Sequence, residues 1–359
     1  MTRGRSNAAP RTARLNPPLR TPVTPISHAG TAVRIIRVPN RLQVRAAERL
    51  VTQTVPNREA AARRMLAAAP AHGIDLDLMW ASVDGAEGGE RVRQACLAVP
   101  GAGRTMMLFV SEPPPGGDAG GSACGESERS ALFEAACGYF ASLRASGAPA
   151  NPRHDVRLAQ ALPEPQELAA AAALSRAGFV RVGELMYMRR PFEAMTPPVP
   201  EGWPSGVSVV PITSLGPPER QDATLLTAMD SSYLDTLDCP ELCGLRDSHD
   251  VLASHKATGI RDPALWFVAI EAGIASGCML LSPCTDQRSV ELVYLGLAPS
   301  LRGRGIATRL LAMGIQRTRG LGASELTCAV DARNTPAISL YERFGFRSFA
   351  RRVAFVKPV

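Results

Sequence analysis

Lysine is all but missing from this chain. Lys256 and Lys357 are the only two in 359 residues, against a basic total of 40, so nearly all positive charge is arginine. That bias reads as genome composition and carries no function of its own. Acid is missing from the first 47 residues, which hold nine arginines. The other 312 residues carry 31 basic and 33 acidic side chains, a net of −2. The overall +7 therefore belongs to a Pro/Arg-rich leader rather than to the body of the chain. Such a composition buries too little apolar surface to fold, and residues 1–30 are expected to be a disordered tail. A tail of this kind could touch nucleic acid or an anionic surface, but the expectation is a plain leader with no nucleic-acid partner. No apolar run reaches about 18 residues, which excludes a membrane-spanning helix. The start lacks an apolar signal-peptide core, so a cytoplasmic location without membrane contact is expected. The eight cysteines are scattered. Even where Cys239, Cys243, His249 and His255 crowd together, the short spacing of a zinc knuckle is absent. Reduced thiols and no metal are expected.

What is present is concentrated in residues 290–308, VELVYLGLAPSLRGRGIAT. An apolar strand runs into a glycine-spaced basic turn that opens a helix. Gly303 and Gly305 can adopt backbone angles closed to other residues, so successive N–H groups can converge on one anion. The helix starting near Ile306 adds partial positive charge at its N-terminus, and Arg302 and Arg304 add full charges beside it. This is the arrangement by which chains hold a diphosphate. Two familiar phosphate motifs do not fit. A Walker loop needs Lys and Ser or Thr after its last glycine, and a dinucleotide fingerprint needs a third glycine where Thr308 stands.

About thirty residues on comes Asn334-x-x-Ala337-x-x-x-Tyr341-x-x-x-Gly345-Phe346. Together with Arg302-x-x-Gly305-x-Ala307, this resembles the acetyl-CoA site of the GNAT superfamily of N-acetyltransferases. The resemblance implies that the backbone of Leu295, Gly296 and Leu297 meets the pantetheine arm. It implies that Arg302, Gly303, Arg304, Gly305, Ile306, Ala307 and Thr308 take the pyrophosphate. Asn334 would reach the pantetheine from the facing strand end, and Tyr341 would sit by the thiol.

Acetyl transfer from a thioester to an amine needs a proton acceptor for the ammonium and a proton donor for the leaving thiolate. By the resemblance Tyr341 is the donor; its alternative is an aromatic packed at a helix–sheet seam. Glu291 is the candidate base, on a strand too apolar for an idle carboxylate. Burial would raise its pKa toward neutrality. It precedes Leu297 by six residues, where some members of the family place a catalytic glutamate. Its alternative is a strand-end carboxylate paired with a surface arginine. Strict strand alternation would put Glu291, Val293, Leu295 and Leu297 on one side, with Tyr294 on the other as core or pocket wall. Asp331 is a second base candidate, or else a turn cap before Asn334.

The chain reads as two similar halves. Residues 191–206, PFEAMTPPVPEGWPSG, form a proline-rich connector. Residues 207–359 read as one catalytic domain: a first strand VSVVPI, a helix from Pro218, helical character near 240–257, a hairpin through Gly273, the motif strand, the phosphate helix, the strand ELTCAV, a short helix and a last strand. Residues 31–190 repeat that order, and Gly178-Phe179 and Gly345-Phe346 lie 167 residues apart. At that offset Leu174 replaces Tyr341 and Glu167 replaces Asn334. An acidic, glycine-rich stretch after Pro113 replaces the arginine–glycine turn. The first half is therefore expected to be a degenerate GNAT-like domain that walls the acceptor cleft. The fold class is α/β, two tandem domains, each a mixed, mostly antiparallel sheet flanked by helices.

The function expected from these features is acetyl-CoA-dependent N-acetyl transfer by direct attack of a primary amine. The acceptor stays open among a small amine, an amino-sugar conjugate and a peptide N-terminus. The alternative is a non-catalytic acyl-CoA-binding regulator, which would need neither Glu291 nor Tyr341. A monomer or homodimer is expected.

Overall fold

Aliphatic, β-branched runs alternate along the chain with alanine-rich segments of helical period, the pattern of an α/β protein. The computed structural model describes residues 25–28 and 31–359 except 53, 113–121 and 148–150. Most of the expected tail and the first part of the acidic stretch lie outside these residues. Among the described residues there are 13 strands and eight α-helices. The first half runs β1 (Pro25–His28), β2 (Thr31–Arg37), α1 (Gln43–Leu50), α2 (Arg58–Ala68), β3 (Met79–Asp84), β4 (Arg91–Gly101), β5 (Thr105–Val110), α3 (Ser122–Ala145), β6 (Leu158–Ala161), α4 (Leu168–Arg176) and β7 (Val180–Pro191). The second runs β8 (Val207–Pro211), α5 (Pro218–Tyr233), α6 (Ser248–Lys256), β9 (Trp266–Glu271), β10 (Ile274–Cys284), β11 (Ser289–Leu297), α7 (Ile306–Thr318), β12 (Glu325–Asp331), α8 (Thr335–Arg343) and β13 (Arg347–Pro358). α4 and α8 stand 167 residues apart at both ends, so the repeat seen in the sequence is a repeat of structure. Two strands leave no periodic signal. β3 is buried at every residue and so shows no alternation, and β6 has four residues.

All strands join one sheet, in the order β1-β2-β3-β4-β5-β6-β13-β7-β12-β11-β10-β9-β8. Only β5–β6 and β11–β12 are parallel. The sheet does not divide where the proline-rich connector divides the sequence. β7, from the first half, pairs with β12 of the second. β13, the last strand of the second half, pairs with β6 of the first. In this order β13 covers the free edge of β6 and β7 that of β12. Packing follows the pairing. Met188 and Phe192 join the core around α7 and β10, whereas Val353 and Phe355 join the core around α3 and β3. Burying each such side chain is worth roughly 1.5–3 kcal/mol. The stretch 207–359 is therefore complete as a sequence repeat but not as a folding unit.

A second tie runs through the turn between β4 and β5. Arg104 Nε donates to Asp250 at 2.8 Å, and Ser254 Oγ donates to the Ala102 carbonyl at 2.9 Å. Both partners lie on α6, so the first half holds this helix of the second in place. The connector itself crosses α7, anchored by Arg309 Nε on Gly202 O at 2.9 Å and by the fully buried Arg190, whose Nη2 donates to Ala194 O at 2.5 Å and to Thr196 Oγ1 at 3.0 Å.

Candidate active site

β11 and β12 are hydrogen-bonded partners only over Ser289–Glu291 and Glu325–Thr327. Beyond Glu291 they part, and the edge of β11 that faces β12 is left without a strand partner. A cavity of about 320 Å³ fills the gap, lined by Leu292–Leu297, Ala329 and Val330 and closed by Asn334 and Tyr341 of the α8 region. It continues into a second cavity of about 620 Å³ that shares Leu295, Leu297, Arg302, Asn334 and Tyr341 with the first. The second runs out over Gly303, Gly305, Ile306, Ala307 and Thr308. The sequence-selected residues thus lie along one continuous trough, Glu291 and Arg304 excepted.

At its outer end α7 begins without a cap. Gly305 takes the N-cap position at φ 73° and offers no side-chain hydrogen bond. The first-turn N–H groups of Ile306, Ala307 and Thr308 have no intrahelical acceptor and face the trough. The arginines of the turn also bond within the protein. Arg302 donates to four carbonyl oxygens, Leu297, Asp235, Ser232 and Leu234, and so fastens the C-terminal end of α5 to β11. Arg304 is tied to Glu271 and to Ser300 O and Ser205 O. Their donors are committed to the protein because the end of a helix and a connector supply unsatisfied carbonyls within reach. A second guanidinium lining the outer cavity belongs to Arg343, whose Nη2 touches Thr308 Oγ1 at 3.4 Å.

At the inner end Tyr341 is buried and lines both cavities. Its ring packs against Phe346 at 5.4 Å between centroids, and its hydroxyl has no hydrogen-bond partner among the described residues. Burial, reinforced by Cys328 and Asp238, pushes its pKa well above the ordinary value, so it holds its proton at any working pH. Asn334 caps α8, its side-chain oxygen accepting from Ala337 N at 3.3 Å. Its amide NH₂ remains for a ligand.

Glu291 is half-buried and pairs with no arginine or lysine among the described residues; Cys284 Sγ approaches it at 4.0 Å. Burial raises its carboxyl pKa. It does not line either cavity but stands one residue before Leu292, where the lining begins. The alternation expected along β11 is broken. Leu281 faces Leu292 and Leu280 faces Tyr294, so Val293 is an extra residue in a bulge. Opposed residues share a face, and the bulge therefore turns Glu291 and Tyr294 to one side and Leu295 and Leu297 to the other. Tyr294 is a wall of the inner cavity, with its hydroxyl 2.7 Å from Ser232 Oγ. Gly296 is required beneath it, since a Cβ there would lie 2.5 Å from that hydroxyl oxygen. Asp331 is unsuited to be a base. Burial alone would raise its pKa, but hydrogen bonds from the Arg333 side chain and from the N–H groups of Arg333 and Cys239 outweigh this and hold it below the usual range.

The sequence model of the Acetyltransferase (GNAT) family matches residues 232–346, which contain the whole trough. Residues 232–346 thus read as a GNAT acetyltransferase domain. It is 32% identical over 165 residues to the mycothiol acetyltransferase of Streptomyces coelicolor, covering 45% of this chain and 50% of that protein. It is 32% identical over 194 residues to the mycothiol acetyltransferase of Thermomonospora curvata, covering 54% and 61%. The matches thus span about half to three-fifths of the length of these curated relatives. Among solved structures, a GCN5-related N-acetyltransferase from Sphaerobacter thermophilus superposes with a TM-score of 0.52 at 22% identity, over 89% of this chain and 90% of that one. The likeness extends over both halves and is one of fold. Among the described residues no three His, Cys, Asp or Glu side chains gather as a metal site, and no helix is long and apolar enough to cross a membrane.

Sequence reasoning missed one side chain of the trough and gave another no role of its own. Arg343 had no motif to mark it, though a basic residue in the last turn of α8 was visible. Asp238 lies on the loop after α5, more than fifty residues before the motif strand, and lines the inner cavity. Only the fold brings it there.

Behind the inner cavity His255 of α6 stacks on Tyr294 at 5.3 Å between centroids. Its Nε2 is buried without a partner. Burial, then the charge of Arg246, push its pKa down to about 4. The unfolded chain, with an imidazole near 6.5, binds more protons in between. Stability from this residue is therefore present above about pH 6.5 and lost as pH falls toward 4, about 3 kcal/mol in all. Urea unfolding of wild type is expected to weaken from pH 7 to 4.5 more steeply than that of His255→Leu. Equal slopes in the two proteins would assign the pH dependence to other groups.

Proposed function

We propose that this protein transfers an acetyl group from acetyl-CoA to a primary amine by direct attack on the thioester. The observation that carries the reading is the parting of β11 from β12 after Glu291, straight into the uncapped start of α7, with Tyr341 lining both parts of the trough. In this reading the N–H groups from Gly303 to Thr308 take the pyrophosphate, assisted by Arg343. The free edge of Leu295–Leu297 and the Asn334 amide hold the pantetheine arm. The amine nitrogen attacks the carbonyl carbon, the C–S bond breaks, and Tyr341 gives its proton to the leaving thiolate. Glu291 takes the proton of the ammonium through solvent, since its carboxylate stands just behind the cavity lining. The name of the relatives makes compounds of mycothiol the first acceptors to try.

The first half serves in this reading as a non-catalytic partner. Leu174 is buried core at the place of Tyr341. Arg129 of α3 donates to Ser111 O at 2.9 Å and so uses a carbonyl at the end of β5. Its contribution is to hold α6 and to lend β7 to the sheet.

The test is release of CoA thiol from acetyl-CoA in the presence of amines, beside calorimetric titration of acetyl-CoA. Absence of both binding and release overturns the reading. Within it, Glu291→Gln is expected to lower kcat by roughly 10²-fold. Because burial raises the Glu291 pKa, wild-type rates should fall as pH drops through a value above the ordinary carboxylate range. That acid limb should vanish in Glu291→Gln; an unchanged profile moves the base elsewhere.

A further inference from the structure

The acceptor must meet the thioester in the inner cavity, so the groups lining that cavity decide what it is. Most of the polar ones are already engaged. Arg302 is held by four carbonyls, Ser232 and Tyr294 bond each other, and Asn334 Oδ1 caps α8. Asp238 differs. It is open to the cavity, and its field is felt by both Tyr341 and Cys328. Its Oδ1 accepts from Asp331 N at 2.7 Å, and its own N–H donates to Thr236 Oγ1 at 3.1 Å. These two bonds orient the carboxyl, while Oδ2 has no hydrogen-bond partner among the described residues. No cation pairs with it either. Arg333, whose charge it feels, is taken by Asp331 and Glu241. Asp235 also lines the cavity, but no comparable coupling ties it to Tyr341.

We infer that Asp238 receives the ammonium group of the acceptor on its unpartnered Oδ2, which makes the acceptor a cationic primary amine held as an ion pair beside Tyr341. The inference rests on the acetyl-transfer reading above. The Asp238 carboxylate is exposed at the cavity and has no cation partner among the described residues, and an ammonium arriving there gains a charge-assisted hydrogen bond. Asp238 then acts on binding, whereas Glu291 acts on the proton, so the two carboxylates separate in kinetics.

The experiment uses the full chain at saturating acetyl-CoA with glucosamine, spermidine and a free-N-terminus tripeptide, read by CoA thiol release. Asp238→Asn keeps the oxygen that accepts from Asp331 N and removes the charge. It is expected to raise the KM of the best amine about 10- to 100-fold, with kcat within about threefold and acetyl-CoA affinity unchanged by calorimetry. An unchanged KM, or a loss confined to kcat, overturns the role of Asp238 while the transfer reading stands. Lost acetyl-CoA affinity in the variant also overturns it, by making the residue structural. Wild-type protein that binds acetyl-CoA but acetylates none of the three amines overturns the cationic acceptor. Wild-type protein that neither binds acetyl-CoA nor releases CoA overturns the transfer reading itself.

Discussion

Gly305→Glu protein is expected to give no binding heat with acetyl-CoA at concentrations that saturate the wild type, a loss of at least about 10²-fold. Gly305 sits at φ 73°, in the left-handed region, directly ahead of three N–H groups without intrahelical acceptors. A carboxylate there does what a capping residue does. It satisfies those N–H groups itself, and the positive end of the helix holds it in place. The pyrophosphate then meets an occupied site of its own sign. The fold should survive, because acid at a helix N-terminus is favourable; strain from the left-handed backbone costs about 1–2 kcal/mol. Crowding adds little, as the new Cβ would meet only the far end of Arg309, 2.6 Å from its Nη1. Gly305→Ala carries the strain without the charge and should weaken binding far less. Calorimetry on the three proteins, with thermal unfolding as the check on folding, decides the matter. Wild-type affinity in Gly305→Glu would remove the phosphate-binding role of the turn.

Tyr341→Phe is expected to lower kcat by roughly 10- to 10³-fold while acetyl-CoA affinity stays within about twofold. The substitution deletes one oxygen that has no protein partner, so no buried group is orphaned by its loss. The ring contact with Phe346 remains. What disappears is a hydroxyl whose proton is held firmly by burial and which faces the junction of the two cavities. If turnover survives intact, the thiolate leaves with a proton from solvent, and Tyr341 is a packing residue of the helix–sheet seam.

The sequence and the fold agree where the information is local. A glycine-spaced turn followed by an apolar helix announces the start of α7, because φ and the helix period are properties of neighbouring residues. The repeat at 167 residues is visible for the same reason, and α4 and α8 obey it to the residue. What a side chain meets across space is not legible in the sequence. Arg302 and Arg304 sit in the motif, yet their donors are directed at carbonyls of α5, the connector and Glu271. Val293 looks like any strand residue, yet a bulge at that point reverses the face of Glu291 relative to Leu295.

By itself, then, the sequence determined the order of elements, the place of the glycine turn that opens α7, and the spacing that puts Asn334 at the cap of the short helix carrying Tyr341. Each of these is set by spacing along the chain. The tertiary structure alone decided three other things. It exchanged β7 and β13 between the halves, because two open strand edges are satisfied at once and strand pairing leaves no mark on local pattern. It engaged Arg302 with four carbonyls and set Arg343 beside it along the outer cavity. And it brought Asp238, remote in sequence, to within electrostatic reach of Tyr341, because the end of α5 is fastened to β11 by a guanidinium whose partners are all carbonyl oxygens.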